Sequence, residues 1–512
     1  MTDALEKFAE RDEATIYEVK SAEDMLTYST KTELRSISKY FMRKASQFVS
    51  DIENQVFSEY FIKTYGDDAE NQKTRYKQLL NGFISKFGDR NVVITRSPAR
   101  INIMGRHIDH RGGSINVMTT DKDVVFVSAM RDDDQVNIAN IDAKFPDKSF
   151  SISECLGDVK YDKWLDYLAD PKTVEQLENN KGCWSNYIKS AVLRAQFDSE
   201  IALCGMDVFA GGTIPVAAGL SSSSSLVVAT MEAVVALNCL NITNNKFISL
   251  CGEGEWFVGS RGGSGDHAAM KCGSVDKIVH LKFKPFEVGE SAKFSDEYSI
   301  VVANSMIQAK KSEGSKHKYN AKVASYEFAF MLIKRLFPDY NFVEFRDLAK
   351  VRPFSKIYEI IKEIPETVTK AGILAILPEY KDTIKKILST HTSPDFYDLR
   401  GVAIYGVSEC ARSETCIDLL NQGRYEELGQ LMKISHDGDR VGANRITDEM
   451  LDEWAKNNVD IAMQSGVYDC STEQIDYLCD LLNSTDGVLG SEIVGAGLGG
   501  CVIALVKKSL AN

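Results

Sequence analysis

Apolar positions recur at near-helical spacing from the N-terminus to about residue 88, with Ile37, Tyr40, Phe41, Phe48, Ile52 and Phe57 marking one face of highly charged helices. No catalytic motif interrupts that stretch. It reads as a helical extension packed on the core, with self-association or a protein partner as the alternative uses. From Val92 the period shortens, and residues 92–130 alternate β-rich runs with a glycine-rich polar turn. Residues 184–192 open a helix, and residues 205–209 lead as a strand into PVAAGLSSSSS. The apolar run from Leu226 to about Leu240 then predicts a buried helix. Glu253 and Glu255 stand near the end of another helical run, followed by a loop holding Gly259, Gly262, Gly263 and Gly265. The second half alternates strands at 299–303 and 501–506 with long helices at 319–336 and 415–433. Residues 338–398, rich in Lys, Glu and Pro, show ordinary helical periodicity and look inserted. A glycine-dense turn at 494–500 directly precedes the last strand.

Composition narrows the class. With 512 residues, 44% of them hydrophobic, the chain can bury a large core and should divide into two or more domains. A formal charge of −13 argues against nucleic acid or acidic membrane as a partner, since both require basic surface. The acidic N-terminus lacks an apolar leader, and no run approaches the ~20 apolar residues of a membrane span. Eleven scattered cysteines form no CxxC pair, and Cys204, Cys239, Cys251 and Cys501 sit in apolar runs. Reduced thiols in a cytoplasmic protein are the expectation. The sequons at Asn241 and Asn483 are then chance matches.

Three segments carry candidate chemistry. In residues 215–230, Gly219 permits a tight turn, and the serines that follow open the buried helix. Such a turn directs free backbone N–H groups and the positive end of a helix dipole at one point, an anion site. A serine-rich helix cap is the plain alternative. Between the two β-rich runs, Arg100, Arg106, His107, Asp109 and His110 crowd together, a pattern suited to a polar ligand that needs several hydrogen bonds. The glycine loop delivers Asp266, which would otherwise serve as a helix N-cap before HAAMK.

SPARINIMGRHIDHRGG, PVAAGLSSSSSL, VGSRGGSGDHA and VGAGLGGC occur in this order, and together they resemble the GHMP kinases, more narrowly the galactokinase-like sugar-1-kinases. WSNYIKSAV, LMKISHDGDR and YDCSTEQIDYL are similar to galactokinase segments as well. The likeness spans about residues 90–510. It implies an α/β protein with a ribosomal S5-like N-terminal domain at 89–290, a ferredoxin-like C-terminal domain at 291–512, and an active site in the cleft between them. Residues 1–88 and 338–398 would be elaborations. By position, the resemblance makes Asp266 the base that takes the anomeric hydroxyl proton and Arg100 the group that stabilises charge. It assigns Arg106, His107, Asp109 and Gly263 to the sugar. Gly219, Leu220, Ser221, Ser222, Ser223 and Ser224 would cradle the ATP phosphates, and Ser223 with Glu255 (or Glu253) would hold Mg²⁺.

Within that likeness, Arg106 departs from the pattern. Galactokinases carry an acidic residue there, thought to meet the C6 hydroxyl of the sugar, and His110 replaces a usual tyrosine. An arginine suits bidentate binding of a carboxylate, and HIDHRGG resembles galacturonokinases. Galacturonate is therefore the favoured substrate expectation, with galactose as the runner-up. The alternative for Arg106 is an internal pair with an acid. A non-catalytic sugar and ATP sensor is the competing class, and the HxD signature disfavours a mevalonate-type kinase.

Overall fold

The computed structural model describes residues 42–157, 161–259, 262–307 and 313–510. Ile37, Tyr40 and Phe41 of the helical extension, and Ser260–Arg261 of the glycine loop, lie outside the described residues. The chain divides into two compact units. One takes the described residues up to Ala99 with Thr119–Ile214 and Ser222–Val275, and the other takes Arg100–Met118, Pro215–Ser221 and Asp276 onward. This division interleaves along the chain, whereas the sequence suggested consecutive domains.

The strands Asn91–Met104, Ile115–Met130, Met206–Gly212, Gln135–Asn140 and Lys148–Ser151 lie side by side in that order, all in the first unit but for residues 100–104 and 115–118. Val124–Met130 pairs antiparallel with Met206–Gly212, which in turn runs parallel to Gln135–Asn140. Their β-branched residues come in buried runs, as at 92–95 and 124–125, the pattern of strands covered on both faces. One face is covered by the helices Ala45–Glu53, Ser58–Tyr65 and Ala69–Phe87. Phe48, Phe57, Phe61, Leu79, Leu80 and Phe83 are buried together with Val92, Ile94, Val125 and Val127 of the strands. The described part of the extension is thus a layer of this unit's core. Four more helices, Ser185–Asp198, Ser222–Leu237, Asn244–Glu255 and Gly265–Cys272, pack on one another in the same unit.

The second unit holds the antiparallel sheet Val488–Ile493, Cys501–Lys507 and Tyr298–Asn304, in that order. The helices Tyr425–Asp439 and Glu473–Asn483 pack on it. The helix expected at 415–433 is instead two, Arg400–Asn421 and Tyr425–Asp439, broken at residues 422–424. The helix expected from residue 319 begins earlier, at Glu313, and ends at Leu336. Residues 338–398 fold into short helices whose Ile357, Tyr358, Ile360 and Ile361 join a core with Ala324, Phe328, Val402 and Ile404. That tract is integral to its unit. All eleven cysteines are unpaired thiols, and Cys239, expected in an apolar setting, is exposed. Among the described residues no helix is long and apolar enough to cross a membrane.

Candidate active site

The serine turn is built from both ends of the sequence. Gly219 takes φ +79, where any Cβ would stand 2.7 Å from the carbonyl oxygen of Val494. A Cβ on Gly495 would in turn meet the Gly219 oxygen at 2.6 Å. The two glycine segments therefore approach backbone to backbone, and the Cys501 amide donates to the Ala218 carbonyl at 2.9 Å. Arg100, 4% exposed, donates to the Gly219 carbonyl at 3.0 Å. Leu220 is buried beneath the turn, and Ser221 takes a left-handed φ of 57. Each partner of Gly219 here belongs to the second unit.

The helix Ser222–Leu237 starts four residues earlier than its apolar run suggested, so Ser222, Ser223 and Ser224 form its first turn, where backbone N–H groups have no intrahelical acceptor. The Ser224 hydroxyl donates to Glu255 Oε2 at 2.7 Å, and His267 Nε2 lies 3.0 Å from the same oxygen. Glu253, the other acid the sequence offered, points elsewhere. It accepts from Arg194 at 2.9 and 2.7 Å. Glu255 is thus the carboxylate beside the serine helix. Among the described residues, no group of three or more His, Cys, Asp or Glu could hold a metal ion alone.

Asp266 lies in the first turn of the helix Gly265–Cys272, whose N-cap is Ser264, so Asp266 is not itself the cap. An acid there is favoured by the helix dipole. Deeper in that helix, Lys271 pairs with Glu232 of the serine helix, both wholly buried, and Lys271 stands 3.9 Å over the Phe247 ring. Burial raises Glu232 to about 7 against the pull of Lys271. This pair ties the Asp266 helix to the serine helix. Gly263 sits half-buried just ahead of it, in a loop fixed by the Trp256 indole, which donates to Gly262 at 3.0 Å.

In the second unit, residues 105–113 form the loop that the sequence linked to sugar. Arg106 is 2% exposed, and its guanidinium meets Glu492 at 2.5 Å, Asp439 at 2.9 Å and the Ser435 hydroxyl at 3.0 Å. The expectation that Arg106 reads a substrate carboxylate is corrected by this geometry: the group is enclosed and held against acids of its own unit. Arg111, the other arginine of the loop, pairs with Glu327 at 2.6 Å. His107 has a left-handed φ of 61, stacks on Tyr468 at 4.3 Å and lies 3.6 Å from Asp439. Burial lowers it to about 4, against the opposing pull of Asp439, so the ring is neutral at pH 7. Asp109 Oδ1 lies 3.2 Å from His110 Nδ1.

Three carboxylates, Glu409, Asp439 and Glu492, share this interior with two guanidiniums, Arg106 and Arg412, and all five are buried. Burial pushes Glu492 up to about 8, although Arg106 pulls the other way. Burial also opposes ionisation of Glu409, but Arg412, Arg106 and the Gly105 amide together bring it below its ordinary value. Glu409, Ser435, Asp439 and Glu492, which line this interior, were not singled out from the sequence as site residues. The available signal was an isolated acid inside an apolar run, as in YGVSEC for Glu409 and GSEIV for Glu492.

With this geometry described, comparison with known proteins gives a consistent result. Three family profiles match: GHMP kinases N terminal domain at residues 186–274, galactokinase galactose-binding signature at 81–129, and GHMP kinases C terminal at 416–512. The galactokinase of Saccharomyces cerevisiae is 25% identical over 495 residues, covering 85% of this chain and 88% of that protein. The galactokinase of Dictyostelium discoideum is 23% identical over 480 residues, covering 86% of each. The crystal structure of Lactococcus lactis galactokinase complexed with galactose shares the fold, with a TM-score of 0.56 and 22% identity over 84% of this chain and 89% of that one.

Proposed function

Because this chain belongs to the GHMP kinases, in their galactokinase-like branch, we propose that it transfers the γ-phosphoryl group of ATP to the C1 hydroxyl of a galacto-configured neutral hexose, D-galactose first. It is a phosphotransferase with an alcohol group as acceptor. The observation that carries the sugar reading is the state of Arg106 and Arg111, each ion-paired with acids of its own unit, so neither guanidinium of the loop is left for a uronate carboxylate. The relatives named galactokinase and the galactose-binding signature over residues 81–129 support the same choice.

Asp266 takes the proton of the anomeric hydroxyl as its oxygen bonds to the γ-phosphorus, while the bond from the β,γ-bridging oxygen to that phosphorus breaks and its electron pair leaves with ADP. Arg100 offsets the charge that develops on the transferred group. The amides of residues 219–224 receive the phosphate oxygens at the helix N-terminus. His107, as a neutral ring, and Asp109 bind sugar hydroxyls, and Gly263 lets the backbone approach the ring. Ser223 and Glu255 would hold Mg²⁺: the site offers hydroxyls and one carboxylate, and an ion that keeps water and phosphate oxygens among its ligands fits so sparse a protein donor set. When bound, that ion neutralises charge on the phosphate oxygens.

An ADP-release assay with Mg·ATP and D-galactose, D-galacturonate, D-glucuronate, N-acetylgalactosamine or L-arabinose tests the proposal. Turnover on galactose, lost by about 10²-fold or more in Asp266→Asn with ATP binding retained, is expected. Turnover confined to a uronate would overturn the sugar reading, and silence on every sugar with ATP bound would favour a sensor.

A further inference from the structure

The sugar loop is held from beneath by a closed ring of hydrogen bonds. The amides of Gly105 and Arg106 both donate to Glu409 Oε1, at 2.8 and 3.1 Å. The other oxygen of Glu409 accepts from Arg412 at 2.8 Å and from the Ser435 hydroxyl at 2.9 Å. Ser435 then accepts from the Arg106 guanidinium at 3.0 Å, which returns the ring to the loop. Glu409, Arg412 and Ser435 are each 0% exposed. Arg412 is itself fixed by the carbonyls of Ala462 and Gln464 at 2.9 and 2.6 Å. Two consecutive backbone amides and the side chain of the second are therefore bound to one rigid pair of helices, Arg400–Asn421 and Tyr425–Asp439.

The consequence falls on the next residue. Gly105 takes φ +103, Arg106 is bound at both backbone and side chain, and His107 follows in a left-handed conformation, stacked on the Tyr468 ring. A non-glycine residue persists there only when its surroundings impose it. Asp109 follows two positions later. We propose that Glu409 and Ser435 are positioning residues for the sugar: they touch no substrate, but they preset the loop that carries His107 and Asp109 before any sugar arrives. Ser435 is the joint, because its single hydroxyl both donates to Glu409 and accepts from Arg106. Prior ordering of a binding loop lowers the entropy lost on binding, and displacement of a binding group by about 1 Å can cost about 10²-fold. The loop is thus a preformed sugar platform, and no closing motion is needed to build it.

This inference rests on the kinase reading for its link to sugar, and its test separates the two. In the full-length protein, Ser435→Ala opens the ring at its joint, while Ser325→Ala removes another buried hydroxyl, one that donates to the Ala321 carbonyl of its own helix, as a control. The KM for the sugar that the wild type phosphorylates should rise about tenfold or more in Ser435→Ala, with the KM for ATP unchanged. Glu409→Gln, which keeps an oxygen for the two amides but loses the charge paired with Arg412, should give a smaller rise of the same kind. Hydrogen exchange at the Gly105 and Arg106 amides should accelerate in Ser435→Ala without any ligand present. That readout does not depend on which sugar is used, or on turnover. Unchanged exchange at those amides, a sugar KM that stays put, or sugar and ATP KM values that rise together as in the Ser325→Ala control would overturn the proposal.

Discussion

A guanidinium taken wholly out of water needs its charge balanced nearby, and Arg106 finds that balance in Asp439, with the carboxyl of Glu492 beside it. Removing it leaves those acids buried without a partner. Arg106→Met is therefore expected to destabilise the protein by about 3–5 kcal/mol in urea denaturation, whatever the substrate; a variant as stable as wild type would contradict the internal pairing. Glu492 gives the same network a pH signature. Its folded value of about 8 lies above the ordinary 4.5, so the folded chain keeps a proton that the unfolded chain releases. Stability from this group is fully present below about pH 4.5 and falls as pH rises towards 8, by about 1.4 kcal/mol per unit. Glu492→Gln, which fixes the neutral form, should flatten the dependence between pH 6 and 8; a slope identical to wild type would count against a protonated Glu492. None of this was legible from Arg106 alone. Its partner Asp439 stands 333 positions away, and an arginine among polar loop residues looks the same whether it faces a ligand or an acid.

The elements around the serine turn read more clearly from sequence, because turn chemistry is local. A glycine before a run of serines and an apolar helix identified the turn, the helix Ser222–Leu237 and the loop ahead of Asp266, with errors of a few residues at the ends. What stayed hidden was the second wall of the turn: Gly219 and Gly495 are paired by tertiary approach, and each looked like an ordinary turn former on its own. Gly219→Ala must place a Cβ against the Val494 carbonyl at a φ that alanine disfavours. A loss of about 1–3 kcal/mol in stability and a weaker ATP affinity by calorimetry are expected. If ATP binds Gly219→Ala as it binds wild type, the turn is not the phosphate cradle. The choice of Glu255 over Glu253 was likewise beyond the sequence, since both stand near the end of one helix. Only the reach of Arg194 to Glu253 and of Ser224 to Glu255 separates them.

At the scale of the whole molecule, the ordered motifs gave the family and the α/β class, and the profile matches agree. The interleaved units were not foreseen, because the strands Asn91–Met104 and Ile115–Met130 each contribute residues to both. The helical layer at 45–87 was also ambiguous between a packed cap and a partner-binding arm, as an amphipathic pattern shows that a face is covered but not by what. Its burial on strand residues makes it core. Phe61→Ala should cost about 3–5 kcal/mol and lower the melting temperature at which kinase activity is lost; a separate low-temperature transition that spares activity would mark the layer as an appendage.

The most direct measurement is a competition for limiting Mg·ATP between equimolar D-galactose and D-galacturonate, with the phosphorylated products identified by mass and by ³¹P coupling to the anomeric proton. Galactose 1-phosphate is expected as the dominant product. Galacturonate 1-phosphate in its place, or a phosphate on any carbon other than C1, would contradict it.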